Sequence, residues 1–252
     1  MSQYTKVKNQ AEIEDMRRSG KILAQVLQSI KAYAKPGMST RDLDDRARLE
    51  LKELGGKPAF LGYNGFKDVL CVSINDEVVH GIPRDDFILR PGDIVSADFG
   101  VNYNGMITDA AISFVLGDAP EQVKKLIKDT EASMLAGIDV LRGGVRVGDI
   151  ASAVQKVLQR GGYGIVRDLV GHGVGHAVHE EPDIPNYGFA GSGPVLKAGM
   201  TIAIEPMATL GTHQVTLDDD NWTIRTADGS LAAHFEHTVL ILDRGYEILT
   251  QI

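Results

Sequence analysis

Two aspartates, Asp98 and Asp109, flank Asn102-Tyr103-Asn104-Gly105, a segment with hairpin chemistry. Their surroundings, Ile94-Val95-Ser96-Ala97-Asp98-Phe99-Gly100 and Met106-Ile107-Thr108-Asp109-Ala110-Ala111-Ile112, are apolar and β-prone. A turn centred between Tyr103 and Asn104 sets Asp98 opposite Asp109. A two-residue Asn104-Gly105 turn makes them diagonal neighbours instead. In both registers two carboxylates sit close together and repel. Burying them unpaired costs several kcal/mol or forces protonation. A divalent cation removes the conflict, and two cations about 3.5–4 Å apart, sharing carboxylates, form a hydrolytic centre. The simpler alternative is that one Asp is a solvated turn residue.

A second cluster strengthens the metal reading. Gly171-His172-Gly173-Val174-Gly175-His176-Ala177-Val178-His179 places three histidines and three glycines in nine residues. The glycines argue against a helical HxxxH site, and no Glu follows the first His. They instead permit the close backbone approach expected beside a tightly built site. Two glutamates in apolar, β-prone runs complete the set: Glu205 before Pro206, and Glu236 in Phe235-Glu236-His237-Thr238-Val239-Leu240-Ile241. His176, His213, His234 and His237 are assigned to structure or surface.

The elements that must position these groups repeat along the chain. Asn9 and Glu12 form a capping box that opens a helix through Ile13, Met16, Leu23, Leu27 and Ile30. Lys35-Pro36-Gly37 stops it. Ser39 or Thr40 caps a second helix carrying Leu43, Ala47 and Leu51, which ends at Gly55-Gly56. The layout returns 107 positions later, with Pro120 opening, Gly143-Gly144 stopping, Asp149-Ile150 matching Asp42-Leu43, and Gly161-Gly162 closing. The same offset lays Pro91–Asp98 on Ala198–Glu205 without a gap. Each piece reads as a turn and a short strand ending in a carboxylate. Two halves related by a pseudo-two-fold axis would bring Asp98 and Glu205 to a shared centre.

The bulk composition sets bounds. The chain has 252 residues, 43% apolar and 24% charged, as in an ordinary globular protein. A net charge of −8 argues against nucleic-acid binding through overall charge. One cysteine, Cys71, excludes an internal disulfide framework and a Cys-rich zinc module, and suits a reducing compartment. The polar N-terminal stretch has no signal-peptide core, and no run reaches membrane-spanning length. The expectation is a cytoplasmic protein without membrane contact.

In chain order, Asp98, Asp109, His172, Glu205 and Glu236 resemble the ligand set of the pita-bread metallopeptidases. The local wording is similar to that of type I methionine aminopeptidases. It is carried by Cys71-Val72-Ser73-Ile74-Asn75-Asp76-Glu77-Val78-Val79-His80-Gly81-Ile82-Pro83, His179-Glu180-Glu181-Pro182, Ile184-Pro185-Asn186 and Glu236-His237-Thr238. The likeness runs along essentially the whole chain. It implies an α+β pita-bread (creatinase/aminopeptidase) fold, two ααβ halves around a curved antiparallel sheet. One catalytic domain would span 1–252, with repeats of roughly 9–115 and 116–252.

The implied activity is metal-dependent removal of the initiator methionine from nascent proteins, with a small second residue preferred. The five ligands would hold two divalent ions, Fe(II), Mn(II), Co(II) or Zn(II), and ligand type does not choose among them. The resemblance makes Glu205 a proton carrier as well as a ligand. His80 and His179 would contact substrate around the scissile bond, and Tyr63, Phe66, Cys71 and Trp222 would receive the methionine side chain. The implied partner is the N-terminal Met of nascent polypeptides, with the ribosome surface as a further candidate, and a monomer is the default. Phe60, Asn64, His176 and Val178 depart from common family residues, which bears on pocket shape rather than on the ligands. Type II members carry a helical insertion between His179 and Glu205, and none is present here. Two rivals remain: an X-Pro aminopeptidase or prolidase-like hydrolase, and a non-catalytic pita-bread protein that binds peptide or ribosome.

Overall fold

The computed structural model describes residues 4–251. Four helices carry the repeat: α1 (Gln10–Tyr33), α2 (Thr40–Leu54), α3 (Glu121–Asp139) and α4 (Val147–Gly161). The Asn9 capping box opens α1, and a Ser39–Asp42 box opens α2. α2 and α4 end alike, on Gly55 and Gly162, both at φ 77°. Only glycine adopts this left-handed turn without a Cβ penalty. α3 stops at Asp139, short of the Gly143-Gly144 expected to end it.

Tertiary hydrogen bonds recur with the same offset. Gly37 N donates to Leu89 O and Gly144 N to Leu196 O, both at 2.8 Å. Isolated bridges join Ser39 to Ile88 and Arg146 to Val195. Equivalent residues therefore make equivalent contacts in both halves.

The helices cover one face of a nine-stranded sheet, along which the order is 57–58, 94–103, 106–115, 236–241, 201–204, 171–173 and 180–184. All its strand pairs are antiparallel. The two halves meet between 106–115 and 236–241, where the register pairs are Glu236 with Ala111 and His237 with Ala110. One core lies under α1 and α2 and includes Leu23, Leu43, Val95, Ala97, Phe99 and Val101. The other lies under α3 and α4 and includes Leu126, Ile150, Ile202, Ile204, Val239 and Ile241.

Strand alternation then decides where the carboxylates go. Val95, Ala97 and Phe99 face the helices, so Asp98 faces away. Ala110 and Ile112 pack toward the helices, so Asp109 faces away as well. The site therefore opens on the sheet face opposite the helices.

Candidate metal centre and substrate cavity

Asn104 (φ 51°) and Gly105 (φ 90°) make the two-residue turn, and Tyr103 pairs with Met106. This selects the diagonal register: Asp98 stands opposite Ala111, and Asp109 opposite Gly100. Small partners on the neighbouring strands leave room for both carboxylates. The strand does not end at Asp98 as expected but runs on from Ile94 to Tyr103. Its counterpart, Thr201–Ile204, does stop before Glu205, because Pro206 has no N–H to continue a ladder.

Asp109 is held at the junction of the halves by Thr238. The Thr238 hydroxyl accepts from Asp109 N and donates to Asp109 O, each at 2.8 Å. His172 lies in the short strand Gly171–Gly173 and its Nδ1 lies 2.9 Å from Gly173 O. With that nitrogen donating, Nε2 keeps its lone pair, the arrangement usual for a metal-ligating histidine. Nε2 is 3.4 Å from Glu205 Oε1 and 3.9 Å from Glu236 Oε1. One ligand atom each from Asp109, His172 and Glu236 lies within 4.8 Å of the others.

This arrangement is unstable by itself. Asp98 Oδ1, Asp109 Oδ1 and Glu236 Oε1 are buried without a hydrogen-bond partner. Burial pushes the Asp98 carboxyl up to about 7. Asp109, Glu205 and Glu236 are likewise raised by burial and by repulsion from one another. His172 is lowered to about 3 by burial and by His179, and so stays neutral. Carboxylates facing one another with orphaned oxygens, around a neutral imidazole, fit a divalent cation.

The ligand cluster lines a cavity of about 310 Å³. Its lining brings together every residue expected at the site: Tyr63, Phe66, Cys71, His80, Asp98, Asp109, His172, His179, Glu205, Trp222 and Glu236. Phe60, Asn64 and Val178, which depart from the family pattern, line it too. Cys71 pairs with Asp98 across the ladder, and burial raises its thiol well above the usual value. Phe66 and Trp222 pack with ring centroids 5.2 Å apart.

Trp222 arrives on a hairpin, Val215–Leu217 with Ile224–Thr226, that lies within the longer connection of the second half and packs on Glu77–Val79. Asp220 fixes its turn by accepting from Trp222 N and Thr223 N, both at 2.8 Å. His80 has φ 60°, and the next residue must be glycine. A Cβ on Gly81 would lie 2.3 Å from Val72 O. Burial, with a smaller contribution from His179, lowers His80 to about 4.

Other positions were assigned in sequence only to structure or surface, or not at all. His234 is buried just before the 236–241 strand, and His237 is half-buried within it. His234 Nε2 lies 3.7 Å from Glu205 Oε2, and neither of its ring nitrogens has a hydrogen-bond partner among the described residues. His176 is tied to Glu12 at 3.0 Å.

Lys8 and Glu180 form a buried ion pair at 3.1 Å, with side chains 0% and 2% exposed. Glu180 also accepts from His176 N and Ala177 N, so it braces the loop between His172 and His179. Nothing in the local sequence around Lys8 signals a partner so far along the chain.

Replacing Lys8 by Met leaves Glu180 buried without its lysine, held only by backbone N–H groups and the nearby His176 ring, and should cost about 3 kcal/mol. Urea unfolding of K8M with metal present measures it; a loss below about 1 kcal/mol would show that the pair does not brace the loop.

An antiparallel sheet covered on one face by helices in two equivalent halves, with a buried carboxylate–imidazole cluster lining a cavity on the other, is the build of a metal-dependent hydrolase. Comparison with known proteins gives the family. The model of metallopeptidase family M24 matches residues 14–243. The chain belongs to that family. It is 48% identical over 244 residues to the methionine aminopeptidase of Clostridium acetobutylicum, covering 97% of this chain and 98% of that one. It is 43% identical to methionine aminopeptidase 1 of Bacillus subtilis, with 97% and 98% covered.

Among solved structures, methionine aminopeptidase from Thermotoga maritima superposes with a TM-score of 0.97 at 43% identity, covering 98% of this chain and 100% of that one. Prolidase from Pyrococcus furiosus shares the fold, with a TM-score of 0.78 at 23% identity, covering 98% of this chain and 65% of that one. The pita-bread architecture and the type I resemblance expected from sequence are thus borne out.

Proposed function

We infer that this protein is a metal-dependent aminopeptidase that removes the initiator methionine from new polypeptides, with a small second residue preferred. The observation that carries this is the cavity itself, lined by a cation-fitting carboxylate cluster together with aromatic and thiol walls. An unbranched thioether side chain suits such walls. The full-length similarity to methionine aminopeptidases supports the same reading.

On this reading Asp98, Asp109, His172, Glu205 and Glu236 hold two divalent ions. Bound there, such ions polarise the peptide carbonyl and lower the pKa of water from 15.7 toward about 7, which supplies hydroxide at neutral pH. Glu205 takes up the proton released in the attack and delivers it to the departing amine. His179 donates a hydrogen bond to the developing oxyanion, which is worth about 3 kcal/mol. His80 contacts the scissile amide. Tyr63, Phe66, Cys71 and Trp222 surround the methionine side chain. The free α-amine would bind beside Asp98, and this restricts cleavage to the first residue.

No described helix is long and apolar enough to cross a membrane. The reading makes the chain a single catalytic domain, a cytoplasmic monomer acting on nascent chains, with the ribosome surface as the second partner to test. The deciding assay compares hydrolysis of Met-Gly-Met-Met with that of a Gly-Pro peptide, using Mn(II) or Co(II), with and without chelator. Metal-dependent release of Met alone is the expected result. Cleavage of Gly-Pro only would favour the X-Pro reading, and no cleavage of either would end the enzyme reading.

A further inference from the structure

The Tyr63 hydroxyl lies 2.8 Å from His179 Nδ1. Tyr63 is presented by a single 3-10 turn, Tyr63–Gly65, in an otherwise exposed loop. That loop closes on itself, with Gly62 N donating to Phe66 O at 2.8 Å and Phe66 N to Tyr63 O at 2.9 Å. Left-handed backbone at Gly62 (φ 84°), Asn64 (φ 47°) and Gly65 (φ 91°) turns the phenol toward the cavity rather than into solvent. The phenol and imidazole rings are 5.4 Å apart, and the His179 ring is 4.1 Å from that of His172.

A neutral histidine carries one ring proton, and the hydrogen bond made by one nitrogen decides which nitrogen holds it. The phenol has one proton to donate. A phenol O–H is a stronger donor than an imidazole N–H, its oxygen is a weaker acceptor than an imidazole nitrogen, and burial holds the phenol above its ordinary value. A protonated phenol 2.8 Å from an imidazole nitrogen therefore donates to Nδ1. The remaining His179 nitrogen, Nε2, must then carry the hydrogen.

We propose that Tyr63 is a positioning residue that sets the tautomer of His179, through its hydrogen bond to His179 Nδ1, so that Nε2–H faces the substrate carbonyl as a donor. This assigns Tyr63 a task separate from its place in the methionine pocket. No change of charge is involved, since both tautomers are neutral. The proposal rests on the aminopeptidase reading for what His179 does, but the tautomer itself can be read without turnover. In the other tautomer Nε2 offers a lone pair, which would repel a developing oxyanion instead of binding it.

The test has two arms. Long-range proton–nitrogen correlation spectra of chelated and of Zn(II)-loaded protein, with His179 assigned by H179Q, should show the Nε2–H tautomer in the wild type. Y63F should shift His179 toward a tautomer mixture. It should also lower kcat on Met-Gly-Met-Met by about 10- to 100-fold, with KM within about twofold of wild type. An Nδ1–H tautomer in the wild type overturns the proposal, whether or not Y63F folds. So does a tautomer unmoved by Y63F, or a Y63F defect confined to KM, which is what a pocket wall alone would give. Failure of the wild type to cleave Met peptides would sink the functional reading and leave the tautomer result intact.

Discussion

Asp109→Asn should leave a folded protein whose hydrolysis of Met-Gly-Met-Met is at least about a thousandfold below wild type. Asp109 lies in the tightest ligand trio, and its Oδ1 is buried without any other partner. An amide in its place removes one negative charge from the centre and presents N–H where a cation needs an oxygen. Loss of metal-based charge stabilisation worth about 4 kcal/mol in the transition state gives a thousandfold in rate. The backbone bonds to Thr238 do not involve the carboxylate, so the 106–115 strand keeps its place against 236–241. Steady-state kinetics and bound-metal stoichiometry on the same preparation check the claim. Full metal content with activity within tenfold of wild type would remove Asp109 from the centre.

Removing metal should reverse the pH dependence of stability. In the metal-free protein the folded-state carboxyls of Asp98, Asp109, Glu205 and Glu236 lie above their ordinary values of 3.8 or 4.5. A raised acid contributes stability that is present below its unfolded pKa and lost as pH rises through its folded one. For Asp98 that loss extends from about 4 to about 7.

Surface carboxylates with lowered values, such as Glu247 beside Arg17, act the other way only as pH falls below their ordinary range, and the buried histidines His80, His172 and His234, held below 6.5, act the other way up to about pH 7. Between about pH 7 and pH 8, therefore, as the raised carboxyls go on titrating, chelated protein should become less stable, by on the order of 1–3 kcal/mol. With saturating Mn(II) the trend should invert, because protons compete with metal for the same oxygens. Thermal unfolding at both pH values, with and without chelator, decides it. A chelated protein that gains stability toward pH 8 would contradict a cluster built for cations.

The local signals in the chain carried a good deal of this. Helix caps at Asn9 and Ser39, glycine stops at Gly55 and Gly162, and alternation about Asp98 and Asp109 all act within a few residues. Such signals survive because capping, turns and strand pleat are short-range physics. The 107-residue offset extended them to a pairing of Asp98 with Glu205, and the structure places both on one cavity. Even the hairpin left two registers open. The left-handed backbone at Asn104 and Gly105 chose between them.

What the tertiary structure alone decided involves partners distant in the chain. Lys8 reaches Glu180, Tyr63 reaches His179, Thr238 clasps Asp109, and His234 approaches Glu205 from beyond an inserted hairpin. No periodicity marks these residues, because each contact depends on how whole strands and loops are brought together. A buried lysine near the N-terminus reads in sequence as a solvated charge, and a tyrosine in a glycine-rich loop reads as a pocket wall. The chain by itself determined which groups could do metal chemistry. The packing of its two halves determined how those groups are braced, oriented and protonated, since burial and long-range hydrogen bonds exist only once the halves meet.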